Sequence, residues 1–241
     1  MLPKYNLEKI KFGTDPGTYQ KAVALYESNK VTNFTEELNG YFSIVLGTKP
    51  YKVYVLNRYY DRGGCECYLG QNEILCKHLV ATAIYAVMGG KKMSNEDKEM
   101  YIGPNCSKKI GELSKTDLAL IKKTITSALR YIKAYEGPSR IWFAYQGSLR
   151  EGCARLSKII SDLPVSQQTA SIIVDILLRA DNKLTTGGVD DSDGIVGSFI
   201  TETVAVLKEY VQIDPLCQNA FEILKEKETC FGWEESLVEK K

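Results

Sequence analysis

The chain has 241 residues, of which 44% are hydrophobic, so it is long enough to bury one core or two. Its seven cysteines are an odd number, and four of them are scattered singly. This usage does not fit the paired framework of a small secreted scaffold and favours a reducing, cytoplasmic setting. The first residues contain no apolar run that could form a signal-peptide core, and the longest apolar stretch, 79–88, is half the length of a membrane span.

The charge of the chain is nearly balanced in total but unevenly distributed. The net charge of +1, taken alone, argues against a dedicated nucleic-acid binder. Residues 1–135 carry 20 Lys and Arg against 13 Asp and Glu, a net charge of +7, whereas residues 136–241 carry 11 against 17, a net charge of −6. The sequence therefore predicts that the two halves face different partners, or each other.

The first ninety residues predict a helix, a small sheet and a second helix. Residues 17–29 fit a helix that is entered through an Asp-Pro pair. Residues 31–68 are dense in Val, Tyr, Phe and Ile and are broken by turn signals, which predicts three or four antiparallel strands. A helix from residue 78 should end at Gly89 in a left-handed cap.

The sequence of the rest of the chain predicts helices. Two Ser-x-x-Asp segments, starting at Ser94 and Ser114, have capping-box spacing, and a last helix should begin at Pro215. We therefore predict an α+β fold: a helix, a small antiparallel sheet and a second helix at 1–90, a linker at 91–116, and an all-helical domain at 117–241.

The acidic segment before Gly194 resembles a calcium loop only superficially. If Asp193 ended the acidic triplet of an EF-hand, Val189 would occupy the first ligand position and Ile200 the last, and neither can bind the ion. We therefore predict that Asp193 is the N-cap of the following helix, with the neighbouring carboxylates near its positive end.

A cluster of metal-binding residue types stands in GGCECYLGQNEILCKHLVA, residues 63–81, which contains the only histidine of the chain. On a strand, Cys65 and Cys67 would present their sulfurs on the same side. Eight residues later Cys76 would lie at the start of a helix, where free N–H groups favour a thiolate, and His78 would supply a fourth ligand. Three thiolates and one imidazole satisfy tetrahedral Zn²⁺ with no open position, which predicts one structural zinc ion.

Two other interpretations of this cluster explain its four residues less completely. A nucleophilic Cys-His pair leaves the other two clustered cysteines unexplained and lacks an orienting Asp or Asn nearby. Buried cysteines with a core histidine are common separately, but cysteines are seldom grouped around the only histidine. Metal binding is the interpretation that uses all four residues.

The Cys65-x-Cys67 and Cys76-x-His78 pairs resemble the CxCxnCxH pattern of the SWIM zinc finger, a ββα module. The preceding helix and hairpin are similar to the segment that precedes the motif in prokaryotic members, and residues 189–207 resemble the helical tails of longer ones. The CDGSH iron–sulfur motif shares the cysteine spacing but places its histidine four positions after the last cysteine, so we favour zinc. The resemblance implies a zinc-dependent platform and partners such as recombination factors or AAA+ ATPase systems.

Two stretches are candidates for contact with a partner or a nucleic acid. Basic and aromatic residues alternate in 49–62, a mixture suited to phosphates and stacked bases, and a basic flank accompanies the apolar stripe of a helix predicted at 117–133. A solvated strand face and a solvated helix face explain the same patterns. The candidate contacts are Lys49, Lys52, Arg58, Tyr59, Tyr60, Arg62, Lys122, Lys123, Arg130 and Lys133.

The sequence supports two functional hypotheses. The first is a non-catalytic adaptor in which zinc fixes a small ββα platform and the helical half binds another protein. The second is a direct DNA-binding protein that uses the basic half. No Gly-rich phosphate loop or paired-carboxylate motif stands out, so we do not expect an enzyme.

Overall fold

The computed structural model describes residues 2–100, 103–138 and 142–238. The chain divides into two compact units, Met1–Met100 and Tyr101–Lys241. The first contains a four-stranded antiparallel sheet with helices, and the second is built from helices. The predicted α+β class with a helical C-terminal region is therefore confirmed.

The first unit begins with two helices, continues with the sheet, and ends with three further helices. Its elements are α1 (Leu7–Gly13), α2 (Pro16–Glu27), β1 (Val31–Glu37), β2 (Gly40–Leu46), β3 (Pro50–Leu56), β4 (Gly63–Cys65), α3 (Tyr68–Gln71), α4 (Lys77–Met88) and α5 (Asn95–Lys98).

The sheet is a simple antiparallel meander in the order β1-β2-β3-β4. Gly40 pairs with Leu56 at one end of the β2–β3 ladder, where a Cβ would collide with the carbonyl oxygen of Val55. A glycine is required there because the neighbouring backbone approaches so closely. The edge strand β1 is interrupted by an irregularity between Thr32 and Thr35, and the intervening Asn33 has φ 50°.

The core of the first unit lies between one face of the sheet and helices α2 and α4. Val45, Val53 and Val55 alternate along β2 and β3 and are buried against the apolar side of α4. A hydrogen bond of 2.7 Å between the Ser43 and Thr82 hydroxyls joins β2 to α4 inside this core. The helix that carries part of the candidate metal site is thus held firmly on the sheet.

The predicted helix signals of this unit are confirmed. The Asp15 carboxylate accepts a hydrogen bond from the Thr18 N–H at 2.9 Å and caps α2. Helix α4 ends where the sequence indicated: Gly89 has φ 60° and donates its N–H to the Tyr85 carbonyl at 2.8 Å. The Ser94 hydroxyl caps α5 by accepting the Asp97 N–H at 3.1 Å, which is one half of the predicted capping box.

Within residues 103–138 and 142–238, the second unit contains four long helices followed by two 3₁₀ segments. Its helices are α6 (Lys115–Leu129), α7 (Trp142–Asp162), α8 (Gln167–Thr185) and α9 (Ile195–Ile213), and the 3₁₀ segments are Pro215–Leu224 and Cys230–Ser236. Asp214 caps the segment predicted as a last helix, but that segment is 3₁₀ rather than α. The fully buried side chains of Leu149, Leu156, Ile173, Ile200 and Leu207 lie in one core.

The segment 91–116 contributes to both units. In the first unit, Lys98 forms an ion pair of 2.5 Å with Glu27, and Tyr19 donates to the Asp97 carbonyl at 2.8 Å. In the second, Ser107 donates to the Leu163 carbonyl at 2.6 Å. The division between the units falls at residues 100 and 101.

The prediction for the acidic segment was wrong in its choice of residue. Asp191, not Asp193, caps α9: its two carboxylate oxygens accept the N–H groups of Val196 and Gly197, each at 2.8 Å. Gly194 has φ 67° at the N-cap, and this left-handed turn leaves Asp193 exposed. Spacing alone could not show which carboxylate the turn would bring back to the helix.

A helix that crosses a bilayer must be both long and predominantly apolar. Within residues 2–100, 103–138 and 142–238, no helix combines the length and the apolar character needed to cross a bilayer.

Candidate metal centre

The structure brings Cys65, Cys67, Cys76 and His78 together from three elements. Cys65 ends β4, Cys67 is the N-cap of α3, Cys76 is the N-cap of α4, and His78 lies in the first turn of α4. All four side chains are buried, and their potential ligand atoms lie within 4.8 Å of one another. The residues that the sequence nominated as ligands therefore form one cluster.

The two cysteines of the Cys-x-Cys pair meet in a different way from the one predicted. Strand β4 ends at Cys65, so the pair does not share a strand; instead the chain turns into α3. The Cys67 N–H points to the Cys65 sulfur at 3.5 Å, and the Gly70 N–H points to the Cys67 sulfur at 3.4 Å. Backbone N–H groups directed at the sulfurs favour thiolates.

Gly70 permits this turn. A Cβ at residue 70 would collide with the carbonyl oxygen of Cys65 and lie 2.6 Å from its Cβ. Only glycine allows α3 to fold this closely over Cys65. Sequence analysis missed this residue, although a glycine inside an eight-residue ligand loop was a usable signal.

His78 presents its Nδ1 atom to the sulfurs. Nδ1 lies 3.7 Å from the Cys65 sulfur and 3.9 Å from the Cys76 sulfur. The ring stacks on Tyr51, with centroids 4.5 Å apart and an angle of 28° between the planes. Its Nε2 atom is buried without a hydrogen-bond partner among the described residues, and it faces Gly47, where a Cβ would lie 3.0 Å away.

The pKa values of the Cys65 and Cys76 thiols are coupled, because the two groups share a hydrogen bond. A hydrogen bond with Cys65 lowers the pKa of Cys76 to about 4, assisted by His78 and by the N–H of Leu79 at the start of α4. The same hydrogen bond, together with burial, raises the pKa of Cys65. The two thiols therefore titrate as a coupled pair, in which loss of the first proton makes loss of the second harder.

The donor set and its geometry fit a zinc ion. With Zn–S near 2.3 Å and Zn–N near 2.0 Å, tetrahedral coordination separates sulfur from nitrogen by roughly 3.5 Å. The two sulfur to Nδ1 distances of 3.7 and 3.9 Å are close to that value. Three sulfurs and one imidazole are ligands that Zn²⁺ accepts readily, and they fill all four positions. A zinc ion bound by these four ligands would stabilise the local fold and would have no open coordination position for a substrate.

The candidate contacts in 49–62 are mostly at the surface, with one exception. Lys49, Lys52, Arg58 and Arg62 are exposed, and the Arg62 guanidinium lies over the exposed Tyr59 ring at 4.7 Å. Tyr60 is buried, with its ring edge against Tyr5. Tyr60 was therefore a wrong choice as a surface contact, because its aromatic ring belongs to the core.

The basic residues of the second stretch are exposed, as expected for a solvated flank. Ile125, Leu129 and Ile132 of the apolar stripe are buried in the core, whereas Lys122, Lys123, Arg130 and Lys133 are all at the surface. The apolar stripe packs as in an ordinary amphipathic helix.

The charge asymmetry does not follow the two compact units. Residues 1–100 contain 13 Lys and Arg against 11 Asp and Glu, a net charge of +2, and residues 101–241 contain 18 against 19, a net charge of −1. The basic helix α6 belongs to the second unit, so the basic half identified in the sequence is not one folded body.

Comparisons with known proteins give no independent support for a family. The likeness to the SWIM zinc finger therefore depends on the four clustered residues, their spacing and the elements around them. No protein-family model, no curated protein and no solved structure matches the chain.

Proposed function

We propose that this protein is a non-catalytic, zinc-binding adaptor in which the metal holds a small platform that binds another protein. The observation that carries the proposal is the buried group of three cysteines and the only histidine, whose ligand atoms lie within 4.8 Å of one another. With all four positions taken by protein side chains, the ion would join β4, α3 and the start of α4.

The loop between the second and third ligands supports a protein-binding role. Its side chains Tyr68, Leu69 and Ile74 are 79%, 40% and 48% exposed, although they are large and apolar. Three such side chains within seven residues favour contact with a protein surface. Because Cys67 and Cys76 bracket this loop, a bound metal would determine how these residues are presented.

The nature of the partner is proposed from the resemblance alone. SWIM-type proteins are associated with recombination factors, and prokaryotic ones with AAA+ ATPase systems, so a protein of either kind is the partner to seek. Affinity purification of the full chain from its native host tests this directly. Wild type and a Tyr68→Ser, Ile74→Ser variant should contain equal zinc, but the variant should lose the partner, and retention would contradict the platform.

The metal assignment is tested by elemental analysis of the purified chain. We expect near-stoichiometric zinc, and a stoichiometric iron–sulfur absorption spectrum would overturn the assignment. Cys65→Ser should lose zinc and lose hydrogen-exchange protection across residues 41–90. The control is Lys77→Ala, which changes a half-buried side chain between two ligands and should keep zinc with a stability loss of at most about 1 kcal/mol.

Direct DNA binding is the alternative, and it has less support. The net charges of the compact units are only +2 and −1. Exposed Lys49, Lys52 and the Arg62–Tyr59 pair are the residues that favour it. An anisotropy titration with duplex DNA across salt concentrations separates the two functions, since a steep decrease in affinity with salt supports DNA binding and a flat, weak signal removes it.

A further inference from the structure

A groove lies along the first turns of α9 in the second unit, away from every residue of the metal centre in sequence and on a different compact unit. Its cavity volume is about 470 Å³. The lining residues are Gly194, Gly197, Ser198, Thr201, Glu202 and Phe231. The lining thus combines glycines and small hydroxyl side chains with one aromatic ring and one carboxylate.

The aromatic side chain of the groove is held in an unfavourable backbone conformation. Phe231 has φ 49° and ψ 22°, a left-handed conformation that a bulky residue seldom adopts, and its side chain is 59% exposed. Its ring approaches Gly197, where a Cβ would lie 3.9 Å from the ring atoms. Cys230 and Trp233 both donate to the Asp181 carboxylate, at 2.7 and 3.0 Å, so these anchored neighbours, rather than burial of the ring, fix the position of Phe231.

The Glu202 carboxylate lies beside Gly103, where a Cβ would collide with Oε2. Among residues 103–138 and 142–238, no group forms a hydrogen bond or ion pair with this carboxylate. Partial burial raises the pKa of Glu202, and the buried Cys153 thiol has its pKa raised chiefly by burial and then by the charges of Asp191 and Glu202. Arg150 opposes these two carboxylates at the Cys153 thiol with a smaller effect, so the local field there is net negative.

We propose that this groove binds an arginine side chain of a protein partner. A guanidinium group is planar, stacks on an aromatic face and forms paired hydrogen bonds with a carboxylate, which are the two features that Phe231 and Glu202 supply. Gly194, Gly197 and Ser198 leave room for the aliphatic part of the side chain along α9. This inference concerns the second unit alone and does not depend on the metal centre.

The opposing explanation is that Phe231 is a structural residue that covers the start of α9. The two explanations differ in the effect of Phe231→Gly, because glycine adopts a φ of 49° without strain. If the ring served the fold, its removal would lower the melting temperature. If it serves a ligand, Phe231→Gly should melt at the same temperature or higher and should lose binding.

The experiment is an amide chemical-shift titration of the full, zinc-loaded, ¹⁵N-labelled chain. The probe is the peptide acetyl-Gly-Arg-Gly-amide, and its control replaces arginine by citrulline, which has nearly the same shape without the charge. The amides of Gly194, Gly197 and Ser198 should shift and saturate with the arginine peptide and stay unchanged with citrulline.

The variants decide whether the two proposed side chains make the contact. Phe231→Gly and Glu202→Gln should each weaken the arginine peptide by at least about threefold. Glu209→Gln removes an exposed carboxylate two turns further along the same helix and should leave the affinity unchanged. Equal shifts with arginine and citrulline, or unchanged affinity in both groove variants, would overturn the proposal.

Discussion

His78 is positioned by two contacts on opposite sides of its ring system. Its Nδ1 faces the sulfurs of Cys65 and Cys76, and its Nε2 side meets the turn between β2 and β3 at Gly47. Tyr51 stacks on the ring and is itself fixed by a hydrogen bond of 2.8 Å to the Thr48 hydroxyl. Groups that orient a ligand in this way tune metal affinity without touching the metal.

The turn at Gly47 should therefore matter for zinc affinity. In Gly47→Ala the new methyl group would lie 3.0 Å from both Nε2 of His78 and the Tyr51 ring, so the imidazole must shift. We expect zinc affinity to decrease roughly tenfold, as for other residues that support a ligand. A competition titration with a chromogenic chelator measures this. Gly64→Ala is the control, since a Cβ there meets nothing within 4 Å, and a loss as large in both variants would contradict the role of Gly47.

Residue-scale chemistry was the part of the site that the sequence made predictable. The grouping of three cysteines with the only histidine indicated the ligands because that residue combination has few other uses. The supporting Tyr51, Gly47 and Gly70 could not be predicted, since their contacts depend on how the hairpin and α3 fold over the cluster. Tyr60 was misplaced for the same reason: a tyrosine in a basic stretch gives no signal of which face it takes.

At the scale of elements, capping groups decide where several helices begin. The Ser114 hydroxyl accepts the Asp117 N–H at 3.2 Å, which is one half of the predicted capping box at the start of α6, and donates to the Asp117 carboxylate at 2.7 Å. The start of α9 is capped from further away, by a residue five and six positions before the N–H groups it accepts. Local spacing rules find the first kind of cap and miss the second.

Asp191 and Asp193 make a matched pair for testing this cap. Asp191→Ala removes the acceptor of two N–H groups at the positive end of α9 and should lower the free energy of unfolding by about 1–2 kcal/mol. Asp193→Ala changes an exposed side chain and should stay within about 0.5 kcal/mol of wild type. Urea denaturation followed by helical circular dichroism compares them, and equal losses would restore Asp193 as the cap.

The contact between α2 and α5 should respond to acid. The Lys98 ammonium and the Met93 N–H lower the pKa of Glu27 below its ordinary value. Because the folded-state pKa is depressed, this contribution to stability is fully present above the unfolded-state pKa and is lost as the pH falls through the folded-state value. Urea melts between pH 3 and pH 7 should show a smaller acid-side loss for Glu27→Gln than for wild type. Identical pH profiles would show that the Glu27 carboxylate does not contribute to the free energy of unfolding.

At the scale of the whole molecule, the chain divides into two units, each with its own hydrophobic core. The class and the helical second half were predictable because sheet and helix periodicities differ strongly in the sequence. The charge distribution was misleading because it was counted over halves of the sequence, and the basic α6 is folded into the second unit.

The two cores predict that metal removal acts on one unit only. A strong chelator should lower hydrogen-exchange protection across residues 41–90, as Cys65→Ser should, while α7, α8 and α9 keep theirs. Mass-spectrometric hydrogen exchange on the full chain reports both units in one experiment. Loss of protection throughout α7–α9 at the same rate would show that the units unfold together and that the metal supports the whole chain.

The shortness of β4 has a consequence for the apoprotein. This strand has three residues, and Cys65 ends it, so the candidate metal centre holds the strand that covers the outer hydrogen-bonding edge of β3. If the ligands separate and β4 detaches, residues 53–55 of β3 expose unpaired N–H and carbonyl groups between valine side chains. An exposed strand edge of this kind can pair with a strand of another molecule. Metal binding would therefore also reduce self-association of the protein.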